Sequence, residues 1–263
     1  PDFILIAAIM LAVITWYNKK AYKSICLLGE AAMKMEIAVA FRLNCHKWRR
    51  IMYTIYVYVL DTLADWELGH VASELNSGRF FKKDAPRVTL KTVSCSREPV
   101  ITMGGMKIVP DCITDDIEVS EASMLLLPGA DTWNDPRHRA VLEKADRLLS
   151  VGAAVCAICG ATAALAGYGL LDNRLHTSNG PGFLEMFVPE YKGQGFYVDM
   201  PSAADNNLIT AGSAGALLWT KQIIEYLGVF RADTLEAWYG YFSTGRPEYF
   251  FALMQSLPSG GEN

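Results

Sequence analysis

The stretch "AAVCAICGATAALAGYGLL" (153–171) sets the tightest limit on the fold. Small and β-branched apolar residues read as a strand over 153–158, and a helix opens at Gly160 with almost no loop between them. "NLITAG" followed by "SAGALLWTKQIIEYLG" (207–228) repeats strand, tight turn and helix. "SMLLLPGA" (123–130) is continuously apolar and ends in Pro-Gly, as strands buried on both faces do.

The rest of the chain from Met52 fits the same alternation. "MYTIYVYVL" (52–60) has the composition of a buried strand, and "LADWELGHVASELNSG" runs with helical spacing until Gly78 stops it. "RVTLKTVSCS" (87–96) alternates, and "MKIVPD" (106–111) reads as a short strand or edge extension. In "NDPRHRAVLEKADRLLSVG" (134–152), Asp135 is placed to cap a helix with Pro136 in its first turn and Gly152 after its end. "ADTLEAWYGYF" and "PEYFFALMQSL" read as two closing helices. The predicted architecture is an α/β sandwich with a mainly parallel sheet over 52–258.

Residues 1–51 read differently. "FILIAAIMLAVITWY" (3–17) is uncharged and is followed by Asn-Lys-Lys, yet it is shorter than the roughly 20 apolar residues a spanning helix needs. Three readings stand for it: an extension foreign to the domain, a membrane anchor that leaves the domain in the cytoplasm, or an extra packed helix. Residues 259–263 read as a flexible tail.

Composition narrows the functional classes. The net charge is −4 with 20% charged residues, which argues against a nucleic-acid binder. The six cysteines follow no secreted-scaffold spacing and the four histidines are unpaired, so neither a disulfide framework nor a zinc site is expected. A reducing cytoplasm fits this cysteine usage, and no cofactor or metal is expected. The aromatics of 238–251 read as packing or, more sharply, as the face of a homodimer.

In a parallel sheet, reactive groups collect at the carboxyl ends of the strands. Cys159 stands on the 158–160 elbow at the positive end of a helix, a place that favours thiolate. Cys156, three residues earlier, allows a redox pair or two inert core thiols as well, but its place inside the strand makes it a small hydrophobe. The N–H groups of Gly129, Ala130 and Gly160 are candidate oxyanion donors. Glu67, in the first turn of the helix after 52–60, can reach the same rim. His70 and His138 fall on helices and carry no assigned role.

"AICGATAALAGYGLL", "LADWE", "LLLPGA" and "LITAGSAGALLWTKQIIEYLG" together resemble the PfpI-type proteases and the parkinsonism-associated deglycase, within the class I glutamine amidotransferase-like superfamily. The resemblance covers roughly 52–230. It implies a flavodoxin-like three-layer sandwich and a low-pKa cysteine, Cys159, hydrogen-bonded to a protonated glutamate, Glu67. PfpI-type proteases carry histidine directly after the cysteine, where this chain has Gly160. The deglycase branch carries its histidine after the next strand, where "LHTSN" puts Asn179, with His176 three residues earlier as the candidate base. An amide cannot accept a proton as imidazole does. The expectation is a cysteine-dependent hydrolase or lyase, of glyoxalase, deglycase or amidase type, acting on small carbonyl or amide-like substrates. The alternative is a non-catalytic redox sensor or stress-response module whose Cys159 oxidises reversibly.

Overall fold

Two long strands begin the sheet, β1 (Met52–Tyr58) and β2 (Arg87–Ser94), paired in parallel from Met52 against Arg87 to Tyr58 against Val93. The last four residues of β1 are buried, whereas β2 alternates until its end, so β1 is interior and β2 lies near an edge. The computed structural model describes residues 52–257; the expectations for 1–51 and for the tail lie outside the described residues.

Further strands follow in chain order: β3 (Val100–Ile101), β4 (Lys107–Ile108), β5 (Cys112–Ile113), β6 (Ser123–Leu127), β7 (Ala154–Ile158), β8 (Ser202–Asp205) and β9 (Leu208–Ala211). Seven of the strands make one sheet in the order β5-β2-β1-β6-β7-β9-β8, parallel throughout except for the β8–β9 pair. Every residue of β6 and β7 is buried, as the apolar runs 124–127 and 154–158 require.

Helices α1 (Asp65–Ser77), α2 (Arg139–Ser150), α3 (Gly160–Gly167), α4 (Phe183–Phe187), α5 (Ala216–Leu227), α6 (Ala232–Thr244) and α7 (Pro247–Ser256) complete the domain. α1 packs beside α5 and α5 beside α6, while α2 packs on β6 and β7. The arrangement is the mainly parallel α/β sandwich of flavodoxin-like proteins. Local signals end the helices where expected: Gly78 takes the left-handed conformation (φ 60°) and donates its N–H to Glu74 O. The Asp135 carboxylate accepts from Arg137 N, heading the turn Pro136–His138 that leads into α2. Among the described residues, no helix is long and apolar enough to cross a membrane.

Of the two readings of 106–111, the structure has the short strand and not the edge extension: β4 pairs antiparallel with β3 in a separate ribbon, and β5 forms the edge beside β2. The segment between α3 and β9 holds α4 and the antiparallel strand β8, neither of which periodicity marked. β8 turns into β9 through Asn206-Asn207, with Asn206 at φ 54°. Asparagine tolerates that conformation, so "DNN" was a usable hairpin signal.

Candidate active site

From β1 the chain moves to β2 on one side and reaches β6 on the other, opening a crevice at the carboxyl ends of the strands. Three of the expected residues meet there. Glu67 stands in the first turn of α1, Gly129 two residues after β6, and Cys159 directly after β7.

Cys159 is a non-glycine residue at φ 57°, ψ −125°, a backbone state that costs about 1–3 kcal/mol. Its surroundings over-determine it. The Cys159 N–H donates to Ala211 O at 2.9 Å, and its carbonyl accepts from the Thr162 N–H at 3.0 Å and the Thr162 hydroxyl at 2.6 Å. The Thr162 hydroxyl also lies 2.6 Å from that of Ser178, which ties the elbow to the segment carrying Asn179.

Asn179 Nδ2 donates to Cys159 Sγ at 3.3 Å, and Asn179 Oδ1 accepts from Ser213 N at 2.8 Å. The Ser213 hydroxyl donates to Glu67 Oε1 at 2.7 Å and accepts from Trp66 Nε1 at 3.2 Å. Glu67 Oε2 accepts from Gly129 N at 2.6 Å, and the carboxyl and the Cys159 thiol both border Gly129. The result is a series of hydrogen bonds from Cys159 through Asn179 and Ser213 to Glu67, whose carboxyl lies on the thiol's side of the site. Ser213 was missed by the sequence reading; its place after strand 208–211, matching that of Cys159 after strand 154–158, was the available signal.

Glu67 is fully buried, and burial raises its carboxyl pKa against the opposing bonds from Ser213, Gly129 and Cys159. Burial also raises the Cys159 thiol; the Asn179 hydrogen bond opposes this, and the negative charge of Glu67 reinforces it. This direction is opposite to the low-pKa thiol that the resemblance implies. The physical reason is that a desolvated carboxyl–thiol pair can hold one negative charge but not two. With Glu67 protonated, the repulsion vanishes and its O–H can donate to the sulfur. Cys156 is fully buried in β7 and its thiol is pushed strongly up, as an inert core cysteine should be.

Two expected roles do not match the geometry. His176 is fully buried with Nδ1 at 2.6 Å from Arg174 O and Nε2 at 2.5 Å from the Tyr191 hydroxyl, so both ring nitrogens are engaged away from Cys159. Its imidazole packs against Tyr191 and Tyr197, a structural placement rather than that of a base. The Gly129 N–H is committed to Glu67, which leaves Ala130 and Gly160 as the amides bordering the sulfur's cleft.

Gly129 matters for another reason. A Cβ there would lie 2.7 Å from Cys159 Cβ, 2.8 Å from Glu67 Oε2 and 3.0 Å from Cys159 Sγ. Gly129→Ala is therefore expected to wedge the thiol from the carboxyl and to destabilise the fold by about 1–3 kcal/mol. Thermal melting with parallel alkylation of Cys159 checks both effects; unchanged melting and unchanged alkylation would refute the close approach.

The sulfur opens onto a cleft of about 520 Å³ walled largely by Trp66, Trp133, Phe183, Phe187 and Val188, with Asn134 and Asp131 as polar elements. No histidine, lysine or arginine lines it among the described residues. Nor does any group of three or more His, Cys, Asp or Glu among those residues form a metal-holding cluster.

Residues 53–226 match the DJ-1/PfpI family. The chain is 41% identical over 203 residues to the Bacillus subtilis protein named "Uncharacterized protease YoaZ", covering 77% of this chain and 97% of that one. It is 28% identical over 179 residues to "Uncharacterized protease YdeA" of the same organism, covering 68% and 85%. Among solved structures, a thiJ/pfpI family protein from Bacillus anthracis superposes with a TM-score of 0.77 at 41% identity, covering 79% of this chain and 98% of that one. A DJ-1 superfamily protein from Agrobacterium tumefaciens gives 0.65 at 26% identity, covering 74% and 99%.

Proposed function

The chain belongs to the DJ-1/PfpI family, and from that premise we propose that it is a cysteine-dependent hydrolase or lyase of small, uncharged carbonyl or amide-like substrates. The observation that carries the reading is Cys159 Sγ, held on a strained elbow beside the buried Glu67 carboxyl at the mouth of the apolar cleft. The Glu67 carboxylate takes the thiol proton, and the thiolate attacks the substrate carbonyl carbon. The Ala130 and Gly160 amides stabilise the developing oxyanion, and protonated Glu67 returns its proton to the intermediate.

The two Bacillus subtilis relatives are named as proteases. Peptide hydrolysis demands a proton for a poor amine leaving group, which imidazole usually supplies. Asn179 and the engaged His176 leave this site without an imidazole among the described residues, so slow or absent proteolysis is expected here. Aldehydes and activated esters or amides are better matched.

A second reading, reversible oxidation of Cys159 as a redox sensor, draws on the same lack of a lining histidine. The test is turnover of a panel containing methylglyoxal, p-nitrophenyl acetate and a small aryl amide, with Cys159→Ser as control. Cysteine-dependent turnover of any of these supports the enzyme reading. No turnover together with peroxide-induced Cys159 sulfenic acid would favour the sensor.

A further inference from the structure

The Cys159 cleft is larger than a small aldehyde needs. Its volume of about 520 Å³ lies in the range, about 300–1,000 Å³, in which sites bury drug-sized ligands. Helix α3 gives it only residues with no side chain beyond Cβ: Gly160, Ala163 and Ala164. Aromatic side chains come from the elements around it, Trp66 on α1, Trp133 after β6, and Phe183 and Phe187 on α4, which packs beside α3.

These walls are in place before any ligand arrives. Trp133 Nε1 donates to Pro128 O at 2.8 Å, and the ring lies 5.6 Å from that of Tyr58. Its Cδ1 would stand 3.5 Å from a Cβ on Gly160, which fixes the indole beside the elbow. Phe183 and Phe187, one turn apart, have ring centroids 4.9 Å apart. Yet Phe187 is 61% exposed and Trp66 55%, so much aromatic surface is left to water around one cleft.

Polar capacity is scarce by comparison. Asn179 spends its amide on Cys159 Sγ and Ser213 N. Asp131 and Asn134 are exposed, and Asp131 is the only charged side chain on the lining among the described residues. A substrate carboxylate would find no cation there and would meet a like charge.

We infer that the substrate of this site carries a neutral aromatic ring next to its reacting carbonyl group, seated against Trp133, Phe183 and Phe187 beside the small residues of α3. The inference rests on the reading of Cys159 as the attacking group. A ring fills volume that a three-carbon aldehyde leaves open, and it gains offset or edge-to-face contacts with walls that need no reordering. Trp133, Phe183, Phe187 and Ala164 set specificity; they take no part in the bond changes.

Alkylation of Cys159 reads this recognition without requiring turnover. Labelling of the Cys159 peptide by N-phenyliodoacetamide, iodoacetamide and iodoacetate is followed by mass spectrometry at neutral pH. Each rate is divided by that of the same reagent with N-acetylcysteine. The phenyl reagent is expected to exceed iodoacetamide by about tenfold or more and to saturate with concentration. Iodoacetate should fall below iodoacetamide by about threefold or more, and Asp131→Asn should narrow that gap. Ala164→Leu, a good helix former that fills the cleft, should cut the phenyl preference by about fivefold or more. Phe187→Ala, at an exposed position that the fold does not depend on, should cut it by about threefold. Equal corrected rates for the phenyl reagent and iodoacetamide overturn the inference, as does a phenyl preference that both variants leave whole. Iodoacetate as fast as iodoacetamide, or a gap untouched by Asp131→Asn, overturns the requirement for a neutral ligand. The two readings fail separately. Phenyl preference with no Cys159-dependent turnover of the carbonyl panel keeps the aromatic site and removes the hydrolase or lyase assignment; turnover without phenyl preference does the reverse.

Discussion

Replacing Glu67 with leucine should slow alkylation of Cys159 by iodoacetamide at neutral pH by about tenfold or more, whereas glutamine should preserve or raise the rate. The carboxyl borders Gly129 as the thiol does, and is anchored by Gly129 N and the Ser213 hydroxyl. Leucine removes the group that receives the thiol proton and then donates to the thiolate. A hydrogen bond to a charged group is worth about 1.5–3 kcal/mol, or about one to two units in the thiol pKa. Glutamine keeps an acceptor for Gly129 and a donor for the sulfur, and it removes the negative charge that raises the thiol. The ordering glutamine above leucine is the signature of the pair; equal rates in both variants and the wild type would break it.

The same pair gives a stability signature. The folded-state pKa of Glu67 is raised, so between its unfolded and folded values the native state binds more protons than the unfolded one. Its contribution is fully present below the unfolded pKa and is lost as pH rises through the folded pKa. Glu67→Gln cannot titrate there, so its stability should gain on wild type over that rise.

Glu74→Leu should destabilise the protein by about 3 kcal/mol, through a contact far from the thiol. Glu74 is 1% exposed on α1 and accepts from Arg79 Nε at 3.0 Å, Arg79 Nη2 at 2.5 Å and Trp238 Nε1 at 3.1 Å. The Arg79 side chain is 52% exposed and can turn to water when the carboxylate goes. Trp238 is fully buried on α6, and its indole N–H would be left without an acceptor. That orphaned donor and the lost charge-assisted bonds set the magnitude. Glu74→Gln keeps an acceptor for the indole and should cost about 1 kcal/mol. For a domain of this size, 1 kcal/mol moves Tm by about 2–4 °C, so thermal melting separates the two variants. A leucine variant that melts with the wild type would remove the contact from the account.

The parallel sheet was legible because its evidence is local. β7, and β6 after Ser123, are apolar at every position, and Gly78, Asp135 and Pro136 mark helix ends by their own conformational preferences. Cys159 was legible too, since a strand meeting a helix with no loop leaves one residue to make the turn, and that residue is at φ 57°. The pairing of the short strands β4 and β5 was not legible because two residues carry no period, and their partners are chosen by the surrounding packing.

Sequence by itself determined the fold class, the elbow cysteine and the glutamate in the first turn of α1, each from residue identity within a few positions; that Asn179 stands in a histidine's place came from the family resemblance. Tertiary structure alone decided who bonds to whom. Ser213 and Glu67 are 146 positions apart and meet only because strand order brings the ends of β1 and β9 onto one rim. The same closure buried His176 against Tyr191 and drew the Gly129 amide onto Glu67. It also fixed the electrostatics of the thiol, because desolvation of Glu67 and Cys159 depends on what the whole fold packs around them rather than on either residue's neighbours in the chain.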